Sequence, residues 1–366
     1  MNKSTKRKLF TETLLLWNKK LNKRAMPWKG EKDPYKIWLS EIILQQTRVE
    51  QGLEYYRRFI KKYPFVDLLA TAGENEVFKL WEGLGYYSRC RNLIASARHI
   101  SFELGGIFPD DHDSIRRLKG VGPYTAAAIA SFAYNLPYAV SDGNVQRLLA
   151  RFFGIAIPID GSDGKKYITA LADQLLDKNT PAIYNQAIMD FGAVICKPKL
   201  PLCEQCILRP NCTAYRKGIV NLLPVKEKKL LRKNRYFFYI VAEYGGRIYV
   251  RQRTGKDIWQ GLWEFILTES PQKISAEDFL RSPAYLNLAR QVKTNPTISA
   301  IFKQQLTHQT VEGVFIRVKL KAPLKDDLST GVTRAAFRRL AFPRMINNFL
   351  ENIGTGSGQL PQIFPK

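Results

Sequence analysis

Residues Leu118 to Asn144 constrain this chain more than any other stretch. The segment opens Leu118-Lys119-Gly120-Val121-Gly122-Pro123-Tyr124-Thr125 and closes Ser141-Asp142-Gly143-Asn144. Two glycines one residue apart let the backbone turn tightly and approach a partner closely. Pro123 stands where a helix begins, since its missing N–H and fixed φ suit a first helical position. The Ala-rich apolar run Tyr124 to Tyr134 then predicts a buried helix. Free N–H groups at such a turn make an anion site. With 57 Lys and Arg against 32 acids, a net charge of +25, the expected anion is a nucleic-acid phosphate.

A second apolar helix is predicted from Tyr35, and it carries one acid, Glu41, in Ser40-Glu41-Ile42-Ile43-Leu44-Gln45-Gln46-Thr47. A carboxylate in apolar surroundings is costly to ionise, so its pKa rises toward the range useful for proton transfer. The bland alternative is a helix-end acid that reaches solvent or pairs with Lys36. Gln45-Gln46-Thr47 can bond base edges or fill a gap in a duplex, or can be ordinary helix surface. Trp81-Glu82-Gly83-Leu84-Gly85-Tyr86-Tyr87-Ser88-Arg89 is a loop able to stack aromatics on bases, with a core-packed tyrosine pair as the alternative. Asp113 and Ser114 are expected caps leading into the hairpin.

Cys196, Cys203, Cys206 and Cys212 are spaced C-x6-C-x2-C-x5-C. Four thiolates that close in sequence can surround one metal or cluster, and a single C-x2-C knuckle favours iron–sulfur over structural zinc. Lys197 and Lys199 lie in the first intercysteine loop, where a fixed backbone presents them to phosphates. Cys90 is left over as a buried free thiol. None of the three histidines sits in a catalytic constellation, which leaves carboxylates as the candidates. No apolar run is long enough to span a membrane and no signal peptide is evident, so a cytoplasmic, nucleoid-facing protein is expected.

From Asn221 the texture changes. A basic linker (222–235) leads into strands at Tyr236–Glu243, Arg247–Arg251 and Gly313–Lys319, with Gly245-Gly246 as a hairpin turn. Shorter helices are predicted at Ala276–Leu280 and Arg344–Leu350, and a frayed tail follows (351–366). The 366 residues suit two domains, an all-helical one (1–221) and an α+β one (236–350).

Taken in order, Ser-Glu-x-x-Leu-Gln-Gln-Thr, Gly-Leu-Gly-Tyr-Tyr-Ser-Arg, the hairpin, Ser-Asp-Gly-Asn-Val and the cysteine spacing resemble the adenine-specific mismatch DNA glycosylases of the MutY family. The resemblance implies an all-α helix-hairpin-helix glycosylase domain (hairpin 118–125, cluster loop 196–212) with a [4Fe–4S] cluster on the four cysteines. A Nudix-like domain that inspects 8-oxoguanine would follow it. Gln260-Gly261-Leu262-Trp263-Glu264-Phe265 is similar to that domain's signature, with Ile266 where proline is usual. The family's Phe-Ser-His tripeptide stands here as Leu306-Thr307-His308, and Lys29 replaces an arginine. A working Nudix hydrolase needs an R-E-x-x-E-E helix for magnesium, and the acids near Glu269, Glu277 and Asp278 do not supply one.

The activity implied is hydrolysis of adenine opposite 8-oxoguanine or guanine in double-stranded DNA, by a monomer. Glu41 would be the acid, Asp142 would face the sugar, and Tyr124 and Asn144 would support them. Gly120, Val121, Gly122, Gln46, Thr47, Leu84, Tyr86, Lys29, Lys197 and Lys199 would meet the duplex, and Thr307 and His308 the lesion. Relatives similar to endonuclease III carry a Schiff-base lysine where this chain has Tyr124, which predicts base removal without strand cleavage. The alternatives are a bifunctional glycosylase/lyase and a non-catalytic lesion-binding protein.

Overall fold

The computed structural model describes residues 2–227, 232–325 and 327–354. Positions 228–231 of the expected linker and 355–366 of the expected tail lie outside the described residues. The chain divides into two compact units, 1–70 with 95–229 and 71–94 with 230–366. No helix among the described residues is long and apolar enough to cross a membrane.

The first unit is helical: α1 (Lys3–Lys20), α2 (Pro34–Leu44), α3 (Val49–Lys62), α4 (Val66–Thr71), then, past α5 (Glu74–Trp81) and α6 (Ser88–Arg98), α7 (His112–Arg117), α8 (Pro123–Tyr134), α9 (Gly143–Phe153), α10 (Ser162–Leu175), α11 (Pro181–Val194) and the short α12 (Thr213–Arg216). The basic N-terminal helix buries a narrow stripe, Phe10, Leu14 and Trp17, against Leu148, Phe152 and Phe191 of α9 and α11. Trp17 meets Phe191 edge-on at 4.8 Å. Burying such side chains contributes about 1.5–3 kcal/mol each.

Local chemistry sets the helix starts that matter. Pro123 occupies the first turn of α8, and Gly120 takes φ +81, a left-handed value a Cβ would disfavour. Asp142 caps α9, accepting from Asn144 N at 2.9 Å and Val145 N at 2.8 Å. The α7 cap is Asp111, which accepts from Asp113 N and Ser114 N, in place of the expected Asp113 and Ser114. Gly192 on α11 is needed for close approach, because a Cβ there would meet Asn144 Cβ at 2.8 Å.

The second unit holds an eight-stranded sheet: β1 (Lys233–Tyr244), β2 (Arg247–Gln252), β3 (Trp263–Glu264), β4 (Ile266–Ser270), β5 (Thr297–Ile298), β6 (Phe302–Gln305), β7 (Gln309–Lys319) and β8 (Thr330–Val332). Strand β1 pairs in parallel with β7, Lys233 opposite Gln309 through Glu243 opposite Lys319. The other pairings are antiparallel. Strand β1 is buried on both faces, which explains its unbroken apolar run. Phe238 stacks on Phe279 of α13 (Ala276–Leu280) on one face, and Tyr239 on Phe315 on the other. The helices α14 (Pro283–Ala289), α15 (Arg334–Phe337) and α16 (Arg344–Gly354) complete the unit. Gly245 and Gly246 both take positive φ in the expected hairpin. Strand β1 begins at Lys233, within the stretch expected as linker.

Candidate active site

The first unit contains a cavity of about 790 Å³, lined by Glu41, Tyr124, Asp142 and Asn144 among others. All four carboxyl, phenol and amide groups expected to carry chemistry therefore face one space. Glu41 is 6 % exposed on α2, and Lys36 pairs instead with Glu31 and Asp33, which removes the solvent-reaching alternative. Burial raises the Glu41 carboxyl to about 7, helped by the charge of Asp142 and opposed by a hydrogen bond from Tyr124. Asp142 is also raised by burial, against hydrogen bonds from Val145 and Asn144 and the charge of Arg147. The N–H groups expected to keep it ionised are present, but desolvation outweighs them. Asp142 still has donors that Glu41 lacks, including Asn144 Nδ2 at 2.7 Å from its Oδ2. Of the pair, Glu41 is the better proton holder. The Tyr124 hydroxyl is buried and its pKa lies well above 10.

The cavity wall continues through Gln46, Thr47 and Lys29. Gln45-Gln46-Thr47 is not helix surface: α2 ends at Leu44 and Gln46 takes φ +56. Gln45 Nε2 reaches Gly120 O at 3.3 Å and Thr125 Oγ1 at 3.2 Å, tying the end of α2 to the hairpin. Lys29 is engaged with the buried Asp190 at 3.0 Å and with Arg24 O. That carboxylate also receives Asn22, Arg24 and Gln186. Arg24, Gln186 and Asp190 were not evident from sequence, because a loop residue and a helix residue some 160 positions away meet only in three dimensions.

Arg147 was also missed. It donates to Asn144 Oδ1 at 3.0 Å and to Cys196 O at 2.8 Å, so one guanidinium touches both the cavity and the cysteine loop. Arg151, one turn on and 3 % exposed, donates to Lys197 O at 2.7 Å and to Cys196 Sγ at 3.5 Å. Their spacing of four residues on an apolar helix is the signal that could have found them.

Cys196, Cys203, Cys206 and Cys212 line one small apolar pocket and form no disulfide. Burial pushes the thiols of Cys203, Cys206 and Cys212 up, and the neighbouring Cys196 raises each of them further. No group of three or more His, Cys, Asp or Glu among the described residues is gathered as a single-ion site. Four thiols around one shared pocket, with Arg151 and Lys6 as neighbouring cations, suit a larger anionic group. Lys197 is half-buried and Lys199 exposed on that loop.

Leu84, Tyr86, Thr307 and His308 belong to the second unit. The Tyr86-Tyr87 pair divides the two alternatives: Tyr87 is 7 % exposed and packs in the core, while Tyr86 is 42 % exposed. Leu84 is buried at 4 %, so it does not project from the loop. The Tyr86 hydroxyl lies 2.8 Å from Thr307 Oγ1. His308 is exposed in the turn between β6 and β7.

A helical domain with a hairpin, a buried glutamate and a half-buried aspartate on one cavity, and a four-cysteine loop defines a base-excision glycosylase. The model of the HhH-GPD superfamily of base excision DNA repair proteins matches residues 39–178, and that of the NUDIX domain residues 236–352. The adenine DNA glycosylase of Buchnera aphidicola subsp. Baizongia pistaciae is 36% identical over 309 residues, covering 83% of this chain and 84% of that protein. The human adenine DNA glycosylase is 40% identical over 217 residues, 57% of this chain and 40% of its own length. Among solved structures, a thermostable thymine-DNA glycosylase aligns with a TM-score of 0.54 at 31% identity, covering 58% of this chain and 98% of its own. An endonuclease III–DNA complex shares the fold at TM-score 0.51 and 20% identity, over 60% of this chain and 99% of that one. The chain belongs to the adenine DNA glycosylase family of base-excision repair enzymes.

Proposed function

We propose that this adenine glycosylase acts on adenine opposite 8-oxoguanine or guanine, and that it is monofunctional. The observation carrying the reading is the pair Glu41 and Asp142 on one 790 Å³ cavity, one acid raised to about 7. An adenine inside a duplex is out of reach, so it is extruded into the cavity. Glu41, holding its proton near neutrality, delivers it to adenine N7 and turns the base into a tolerable leaving group. Asp142, oriented by Asn144, stands against the cationic sugar that remains, as paired carboxylates do in glycoside hydrolysis. Water completes the hydrolysis.

Gly120, Val121 and Gly122 would meet the phosphate backbone, and Gln46 and Thr47, at the cavity rim, the neighbouring bases. Thr307 and Tyr86, joined by a hydrogen bond, would read 8-oxoguanine, with His308 exposed beside them. The exposed Lys199 and half-buried Lys197 suit phosphate contact. Lys29 is held by Asp190, so its part is to shape the cavity. Cys196, Cys203, Cys206 and Cys212 would hold a [4Fe–4S] cluster, which when bound supplies metal–thiolate cross-links through the 196–212 loop.

Side-by-side excision from A:8-oxoguanine, A:G and A:T duplexes tests the reading, with A:8-oxoguanine fastest. Tyr124 cannot form an imine, so strand cleavage and a borohydride-trapped adduct are absent. A robust trapped adduct would favour the bifunctional lyase instead. A visible absorbance band of the purified protein reports the cluster.

A further inference from the structure

We propose that Arg89 is a positioning residue for reading the base opposite adenine: sandwiched between Trp81 and Tyr86, it holds the Tyr86 hydroxyl against Thr307. The proposal rests on the reading above that Tyr86 and Thr307 face that base. All four residues belong to the same compact unit.

The geometry begins with a backbone anomaly. Tyr86 takes φ +48, a left-handed value that bulky side chains seldom adopt, between Gly85 at φ +77 and the start of α6. Such conformations persist where the surroundings over-determine them. Here the surroundings centre on the Arg89 guanidinium and the Trp81 indole. Arg89 lies 5.2 Å from the Trp81 ring and 5.3 Å from the Tyr86 ring. Its backbone N–H donates to Tyr86 O at 2.9 Å, and its Nη2 donates to Gly85 O at 3.3 Å. Trp81 Nε1 donates to the same Gly85 carbonyl at 3.0 Å.

Trp81 is fully buried and Arg89 is 6 % exposed, so the Arg89–Trp81 half of the stack is desolvated, the condition under which a cation–π contact is strongest, while Tyr86 closes its open side. Burial lowers the Arg89 pKa to about 10, which leaves the group charged at neutral pH. The stack fixes one end of Tyr86. The other end is fixed by Thr307, in a turn closed by Leu306 N donating to Gln309 O at 2.7 Å.

Two hydroxyls bonded to each other retain one donor and still have acceptor lone pairs to spare. Such a pair matches a purine edge that offers a donor beside an acceptor. On its Hoogsteen edge 8-oxoguanine does so through N7–H and O8, whereas guanine presents only the acceptors N7 and O6 there. The match depends on both hydroxyls staying where they are, and Arg89 is what holds the tyrosine.

Single-turnover excision from A:8-oxoguanine and A:G duplexes is measured for the wild type, Arg89→Met, Arg89→Lys, Tyr86→Phe and Thr307→Val, with thermal melts of each. Arg89→Met is expected to cut the 8-oxoguanine-over-guanine ratio roughly tenfold, the loss of one desolvated cation–π contact. The A:G rate should fall by less than the A:8-oxoguanine rate. Arg89→Lys keeps the charge without the planar stack and should fall between. Tyr86→Phe and Thr307→Val should be non-additive in the wild type and without further effect on the ratio in Arg89→Met.

An unchanged ratio in both Arg89 variants overturns the proposal. So does an equal loss on both duplexes that tracks a lowered melting temperature. If Tyr86→Phe and Thr307→Val each leave the wild-type ratio intact, the assignment of these hydroxyls to the lesion fails first, and the role of Arg89 with it.

Discussion

Each unit contains a buried carboxylate with more accessible carboxylates in the same unit, and the two sets behave oppositely. In the first unit Glu41 and Asp142 meet hydroxyl, amide and N–H donors, and both are pushed upward by burial. In the second, Glu264 is 2 % exposed but is gripped by Arg251 and Arg253, at 3.2 and 2.6 Å. Asp257 lies between Arg235 and Arg253, both at 2.7 Å, and Arg235 also pairs with Glu269. Burial alone would raise Asp257, yet its arginines bring it below its ordinary value. A buried acid left with neutral donors is an acid that can deliver a proton, whereas one matched by a guanidinium is part of the scaffold.

The sharpest way to break this contrast is to remove the charge of Asp142. Asparagine caps a helix as well as aspartate and removes a charge that burial disfavours, so Asp142→Asn should melt no lower than the wild type while excision falls by at least about 10³-fold. Near-normal single-turnover rates would show that the carboxylate does no chemistry.

Removing an arginine from the second set should do the reverse. Arg253→Met strips Glu264 and Asp257 of a shared partner and should destabilise the second unit by about 3–5 kcal/mol. Urea unfolding followed by the tryptophans of that unit reads it. A loss under about 1 kcal/mol would mean that the pairs contribute no more than exposed ones do.

Glu41→Gln sharpens the comparison in both directions. A carboxyl raised from 4.5 to about 7 by folding costs nothing below pH 4.5, where both states hold the proton. The cost grows between those values and is complete above the higher one. The glutamine variant escapes it, so it should be more stable than the wild type by about 3 kcal/mol at pH 8 and equal at pH 4. Excision should nonetheless collapse. The wild-type chemical step should decline as pH rises through 7, because the proton it needs is lost there. A rate flat from pH 6 to 9 in rapid-quench measurements would remove Glu41 from the acid's role.

The smallest expected effect lies at the surface. Lys199→Ala should weaken binding to any duplex by a similar factor and lower the salt slope of affinity by about one. Base preference should not change in a titration against matched and mismatched duplexes.

Much of the candidate site was legible because its parts are local. Asp142 within Ser-Asp-Gly-Asn-Val, Pro123 at a helix start and the cysteine spacing are each written within a few residues, although that Asp142 caps α9 came only with the structure. The helix Ala276–Leu280, the helix expected at Arg344–Leu350 and found to run on to Gly354, and the hairpin at Gly245-Gly246 were legible for the same reason. The cap of α7 slipped by two residues, since several acids and a serine there can each accept the same N–H groups. Asp190 carries no such mark: its four partners come from a loop and a helix turn that sequence does not bring together.

The sequence by itself determined a basic chain with a two-glycine turn before an apolar helix, one acid in a second apolar helix, another in Ser-Asp-Gly-Asn, and four clustered thiols. Those features depend on residue type and short spacing, which the order of amino acids states directly. Tertiary structure decided which acids burial pushes toward the protonated form, that Tyr86 faces outward while Tyr87 packs inward, and that Lys29 answers a buried carboxylate. The physical reason is that desolvation and charge pairing are properties of a surrounding volume. Residues more than a hundred positions apart fill it, and it exists only once the chain has closed.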